Sequence, residues 1–264
     1  MKFRILGPLE VEDANGTTVV PQAFKLRSLL ALLCVNANSV VSTSHLIDAL
    51  WSGEPPRTAE TALQVYISKL RKHFKKFGGS PGLLATRPPG YCLQVNRGGL
   101  DLQCFDAMVA QARNAAAFGR MEGAAALLTE AKALWRGPAL ADVRSVPALD
   151  GYARRLEEKW YAAYERHVEI ELALGRHSAL ISELYGLTAE HPTWENLHGW
   201  LIIALYRSGR ISESLQAYSR VRISLAHELG VEPSARLQYL QRAVLARETW
   251  LDDPSRPILA ERAS

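Results

Sequence analysis

The spacing of apolar residues along this chain changes period three times. Residues 2–11, KFRILGPLEV, alternate and are rich in Phe, Ile, Leu and Val, and Asp13-Ala14-Asn15-Gly16 supplies turn chemistry ahead of TTVVP. That alternation predicts an opening β-hairpin. A helical period follows over residues 23–35, with Phe24, Leu26, Leu29, Leu30 and Leu33 as its buried side, and it stops at Asn36-Ala37-Asn38. Ser42 is placed to cap a second helix, SHLIDALW, whose Leu46, Ile47, Leu50 and Trp51 face inward. The loop SGEPPRT, enforced by Pro55 and Pro56, leads to a third helix over residues 60–76, ETALQVYISKLRKHFKK. Beyond Gly78-Gly79 the period returns to two in LLATRPPGYCLQV, where Pro-Pro-Gly turns between two short strands. From Asp101 onward the pattern is helical almost throughout.

The third helix has two unlike faces. Ala59, Ala62, Leu63, Tyr66, Ile67, Leu70, Phe74 and Phe77 form one stripe at core spacing. Opposite lie Thr61, Gln64, Val65, Ser68, Lys69, Arg71, Lys72, Lys75 and Lys76, with Glu60 as a lone acid at the helix start, where the dipole favours it. A solvated surface helix usually alternates charge sign at i, i+4, and this one does not. Its interleaved Gln, Ser, Thr and Val are residue types that read base edges and the thymine methyl in a major groove, whereas a merely solvated basic face is the alternative. Three helices with the third basic, closed by a hairpin tipped with Arg87, make a winged-helix arrangement: the third helix enters the major groove and the wing lies on backbone or minor groove.

Charge separates along the chain. Residues 1–100 carry 12 Lys and Arg against 6 Asp and Glu, and the remainder carries 19 against 21. The first segment is therefore an electrostatic footprint for polyanions and the second is not. In the second, a Gly-Arg pair recurs at Gly119-Arg120, Gly175-Arg176 and Gly209-Arg210, the last two 34 residues apart, the repeat length of tetratricopeptide helix pairs. Ala204, Ala217 and Tyr218 supply small and aromatic packing positions, which predicts three or four helix pairs stacked as a protein-binding repeat.

Catalysis and metal chemistry find no support. The seven histidines form neither H-E-x-x-H nor zinc spacing with cysteine, and a Gly-rich phosphate loop and a G-x-S-x-G elbow are both absent. The expectation is no enzyme, no cofactor and no metal. Trp160, Tyr161, Tyr164, Trp194 and Trp200 sit at helical spacing and read as core. Cys34, Cys92 and Cys104 lack C-x-x-C spacing and read as buried free thiols in a reducing cytoplasm. With neither a signal-type N-terminus nor a run of about 18 apolar residues, no membrane contact is expected, and the protein is placed in the cytoplasm with the nucleoid.

Two stretches carry a family resemblance. LQVYISKLRK followed by ATRPPGYCLQV resembles the recognition helix and wing of OmpR/PhoB-type winged-helix domains. ALWRGPALAD, HPTWENLHGWLIIALYRSGRISESLQAYSRVRISLAHELGVEPS and LQRAVL resemble the bacterial transcriptional activation domain. The two in this order resemble the SARP family, the Streptomyces antibiotic regulatory proteins. The expected fold is mainly α with small β-hairpins: an N-terminal winged helix-turn-helix over residues 1–97, a C-terminal tetratricopeptide-like all-α helical repeat over 101–249, and a disordered tail over 250–264.

The resemblance implies an activator that binds direct repeats in double-stranded DNA as a side-by-side homodimer. It further implies recruitment of RNA polymerase holoenzyme through its sigma factor, with the alpha subunit as a second candidate, and pathway-specific control of antibiotic genes. The pattern carries base reading and groove lining to Val65, Lys69 and Arg71, with Gln64, Ser68 and Lys72 on the same face, Thr61 a turn earlier and Lys75 on a phosphate. Arg57 and Thr58 at the helix start are placed for phosphates, Thr58 equally as a helix cap, and Arg87 for a minor groove or equally as a solvated turn residue. Lacking GxxxxGK[ST] and a receiver domain, the chain is not expected to be controlled by ATP or by its own phosphorylation. The competing reading is a helical-repeat scaffold whose basic module binds acidic partners or keeps it soluble.

Overall fold

A computed structural model describes residues 1–253; residues 254–264, most of the expected disordered tail, lie outside the described residues. The tail's expected beginning is ordered: Thr249–Asp252 form a 3-10 helix with Leu251 buried.

The opening hairpin differs from expectation. Residues 2–11 fold as two strands, β1 (Lys2–Arg4) and β2 (Glu10–Glu12), paired antiparallel with Phe3 opposite Val11. Gly7-Pro8 makes the turn, because Gly7 sits at φ +144° and Pro8 has no N–H to give a ladder. The pairing expected across Asp13-Ala14-Asn15-Gly16 is reduced to a bridge between Glu12 and Thr18. Ile5 and Leu6 are both fully buried although adjacent, so the alternation of the sequence is broken where the chain leaves β1.

Three helices and a small sheet follow. In α1 (Phe24–Val35) every residue from Ser28 to Cys34 is buried, while Phe24, expected on the buried side, is 38% exposed because it opens the helix before the helix enters the core. α2 (Thr43–Trp51) is capped as expected by the Ser42 hydroxyl, which accepts from the His45 N–H at 3.2 Å. α3 (Ala59–Lys76) packs Leu63, Ile67, Leu70 and Phe74 against α1 and α2, and Phe74 meets Phe3 edge to face at 5.9 Å. The wing strands β4 (Leu84–Arg87) and β5 (Gly90–Leu93) join β3 (Val41–Ser42) in a sheet of order β3-β5-β4. Gly90 is required there, since a Cβ would come within 1.9 Å of the Val41 carbonyl oxygen.

The remaining helices are α4 (Asp101–Ala117), α5 (Met121–Ala133), α6 (Pro147–Ala173), α7 (His177–Glu190), α8 (Glu195–Arg207), α9 (Ile211–Leu229) and α10 (Ala235–Ala246). Each Gly-Arg pair falls at a helix-to-helix turn, between α4 and α5, α6 and α7, and α8 and α9, with the three glycines at φ +73° to +75°. Packing divides the described residues into two compact units, Met1–Phe118 with Ala126–Ala163, and Gly119–Ala125 with residues 164–253.

Within the first unit the loop after β1 is tied to the segments that follow the wing. The Asp101 carboxylate, almost fully buried, accepts from the N–H groups of Ile5, Leu6 and Leu102 at 2.8–3.0 Å. The Arg136 guanidinium pairs with Glu10 at 2.7 Å and lies 3.9 Å from Asp101. Leu140 N–H donates to Gly7 O at 2.7 Å, and Asp142 accepts from Leu9 N–H at 2.8 Å while pairing with Arg27. Burial pushes the Asp101 carboxyl above the usual carboxylate range, opposed by its three N–H donors and Arg136.

In the second unit α8 is the central element, buried from Leu197 to Tyr206 and flanked by α7 and α9. Ala204, Ala217 and Tyr218 are all buried, as their spacing predicts, and the Ser214 hydroxyl donates to Ile202 O at 2.9 Å. Arg207 holds the end of the described chain, donating to Leu251 O at 2.7 Å and Asp253 O at 2.8 Å. Cys34 and Cys92 are buried free thiols, whereas Cys104 is half-buried. Among the described residues no helix is long and apolar enough to cross a membrane.

Candidate nucleic-acid interface

The two faces of α3 separate as the sequence divides them. Thr61, Gln64, Val65, Ser68, Lys69, Arg71, Lys72, Lys75 and Lys76 are all exposed, and Val65 is 45% exposed although it is β-branched and apolar. Burying the opposite stripe fixes the helix rotation, so the polar residues share an outward surface without needing contacts of their own. Among the described residues no carboxylate is ion-paired with Lys69, Arg71, Lys72 or Lys75. The ammonium of Lys76 lies 5.2 Å from the Phe77 ring, at the far end of the helix.

At the near end, Arg57 and Thr58 are exposed. Thr58 occupies the cap position, but its side chain accepts no hydrogen bond from the first turn. Its carbonyl starts the helix by accepting from Ala62 N–H at 2.9 Å. The preceding loop closes with Ala59 N–H on Pro56 O, also at 2.9 Å.

The wing is held at both ends. Its tip is tied to α2, since Thr43 donates to Pro89 O through its N–H at 3.1 Å and its hydroxyl at 3.2 Å. Its first strand is tied to α3: Arg71 Nε donates to Leu84 O at 2.9 Å and Nη2 to Thr86 Oγ1 at 2.8 Å. Arg87 follows Thr86 and is exposed at the end of β4. Thr43 and Thr86 are the residues that sequence reasoning missed. Alternation along β4 puts Thr86 on the same face as the buried Leu84, and nothing in the sequence pairs it with Arg71, fifteen residues earlier.

The structure thus brings Thr61, Gln64, Val65, Ser68, Lys69, Lys72 and Lys75 onto one surface, with Arg57 and Thr58 at its start. Arg71 shares that surface with its guanidinium already turned to the wing, and Arg87 stands on the wing itself. Such a surface suits a duplex: side chains of groove-reading type on an exposed helix face, cations without acidic partners among the described residues, and a braced hairpin beside them.

Comparison with known proteins gives two family matches. Residues 19–93 match the model of a transcriptional regulatory protein, C terminal, and residues 100–245 match the bacterial transcriptional activator domain. The regulatory protein DnrI of Streptomyces peucetius is 40% identical over 96% of this chain and 94% of its own length. The regulatory protein AfsR of Streptomyces coelicolor is 36% identical over 97% of this chain but only 25% of its own. The structure of Mycobacterium tuberculosis EmbR, solved in complex with a low-affinity phosphopeptide, superposes with a TM-score of 0.85 at 40% identity, covering 93% of this chain and 65% of that one. The chain thus spans nearly the whole of DnrI, under two thirds of EmbR and a quarter of AfsR.

Proposed function

Because the chain belongs to the SARP family of bacterial transcriptional regulators, we propose that it is a sequence-specific DNA-binding activator of secondary-metabolite genes. Two copies bind direct repeats side by side, and the helical domain recruits RNA polymerase holoenzyme through its sigma factor, with the alpha subunit as a second contact. The observation that carries this reading is the outward face of α3, where four cations lack acidic partners among the described residues and share the exposed surface with Gln64, Val65 and Ser68.

On this proposal Gln64, Val65, Ser68 and Lys69 meet base edges, with Thr61 a turn earlier at the groove entrance. Lys72, Lys75, Arg57 and Thr58 hold phosphates, the last with help from the helix N-terminal amides. Arg87 approaches the minor groove or its backbone. Phosphate contacts set register and affinity, and base contacts set which register is chosen.

The test is selection of duplexes from a random library by the full chain, followed by footprinting on the promoters next to its own gene. Recovery of a repeated motif, with two adjacent protected segments on one face of the duplex, supports the proposal. Binding without enrichment of any sequence would leave the scaffold reading in its place.

A further inference from the structure

Resting on the DNA-binding reading above, we infer that Arg71 is a positioning residue: it acts on DNA through the wing, by fixing the β4–β5 hairpin to α3, rather than by reading a base edge. Its Nε and Nη2 both donate to one strand, β4, at the Leu84 carbonyl and the Thr86 hydroxyl. That occupies the side edge of the guanidinium, one of the two edges with which arginine makes a paired contact. The end of the group, bearing Nη1, takes no part in these two contacts.

Placement makes the tie consequential. β4 is an edge strand with β5 as its strand neighbour, while β5 is held on its far side by β3. The tip is tied to Thr43, so β4 is the side of the wing that depends on α3. Thr86 directly precedes Arg87, and adjacent strand residues point to opposite faces, so a shift of Thr86 redirects Arg87. Because Arg71 is exposed, burial does not force this contact; the planar fork matches the spacing of a carbonyl and a hydroxyl two residues apart on a strand, which a lysine ammonium cannot reproduce.

The experiment is a double-mutant cycle on the duplex that the wild-type chain selects from a random library, using the full chain. Arg71→Ala and Arg87→Ala should each weaken binding about tenfold, and the double variant should remain near tenfold, because coupled residues do not add. Thr86→Val, which removes the Nη2 acceptor from the wing side with little change of shape, should move the same way as Arg71→Ala. Arg71→Lys should not restore affinity. Replacing each guanine of the site by 7-deazaguanine removes the N7 acceptor in the major groove, and Arg71→Ala should keep the wild-type response at every position. A roughly hundredfold loss in the double variant, loss of the 7-deazaguanine response at one base pair in Arg71→Ala, or an Arg87→Ala chain that binds like wild type would each overturn the inference. Failure of the wild-type chain to select any sequence would overturn the DNA-binding reading itself.

Discussion

Leu70 and Lys75 lie on the same helix and fail in different ways when truncated. Leu70 is fully buried, so Leu70→Ala should cost about 2–5 kcal/mol of stability through a cavity and abolish DNA binding only by unfolding. Lys75 is exposed near the end of α3, and Lys75→Ala should leave the melt unchanged, weaken specific and random duplexes alike, and lower the salt slope by about one. Thermal melts beside duplex titrations at several salt concentrations separate the two. His198 offers a test in the second unit. Burial drives its pKa down from 6.5 to about 4, against the opposing pull of its hydrogen bond to Pro192 O at 3.1 Å. The unfolded ring takes up its proton at the higher value, so between those pH values the unfolded state binds more protons and stability falls as pH drops, by up to roughly 3 kcal/mol. Urea midpoints at pH 7 and pH 4.5 should therefore fall less in His198→Gln than in the wild type; equal slopes would show that the ring is charged in the folded state. Such burial is not legible in the sequence, because one histidine among apolar neighbours carries no periodicity of its own, whereas the faces of α3 are legible residue by residue.

Helices with strong apolar period are the elements most visible in the sequence, and the short strands are the least. α1, α2 and α3 follow the expected spans because each presents a full stripe and a recognisable end. The first hairpin departs from its expected place because the N–H groups of Ile5 and Leu6 are held by Asp101, more than ninety positions away, which local alternation cannot encode. The start of the expected tail departs likewise, since Leu251 is held by Arg207, distant in sequence. The Gly-Arg repeats show what spacing does encode. Gly209 sits at φ +75° with nothing within 4 Å of the place a methyl group would take, so Gly209→Ala should cost only the backbone strain of a left-handed residue, about 1–2 kcal/mol, read from urea unfolding. Gly90→Ala meets a carbonyl and the neighbouring backbone of β3, so it should separate β3 from β5 and lose the wing. If Gly90→Ala kept native stability and DNA affinity, the contact between those strands would not be needed to form the wing.

Taken as a whole, the molecule does not part where its family matches do. The two matched segments end at residue 93 and begin at residue 100, and the sequence likewise bounds the winged helix at residue 97. Yet Asp101, Arg136, Leu140 and Asp142 satisfy the main chain of residues 5–9 and the Glu10 carboxylate. Asp101 gives no sign of this in the sequence, because an acid at the first residue of a helix is already explained by the helix dipole. Cutting after Asn96 leaves the N–H groups of Ile5, Leu6 and Leu9 without their carboxylates, and hydrogen bonds to charged groups contribute about 1.5–3 kcal/mol each. Against a domain stability of about 5–15 kcal/mol that is a large fraction. A fragment ending at Ala163, which retains all four partners, should therefore melt at least about 10 °C above one ending at Asn96, and Asp101→Ala in the full chain should reproduce part of the loss. The shorter fragment should still bind its duplex at low temperature, since α3 and the wing lie wholly within it, and lose binding along its own melting curve. Equal melting temperatures for the two fragments would show that the winged helix needs nothing beyond Asn96, and the Asp101 contacts would then serve only to orient the segment that follows.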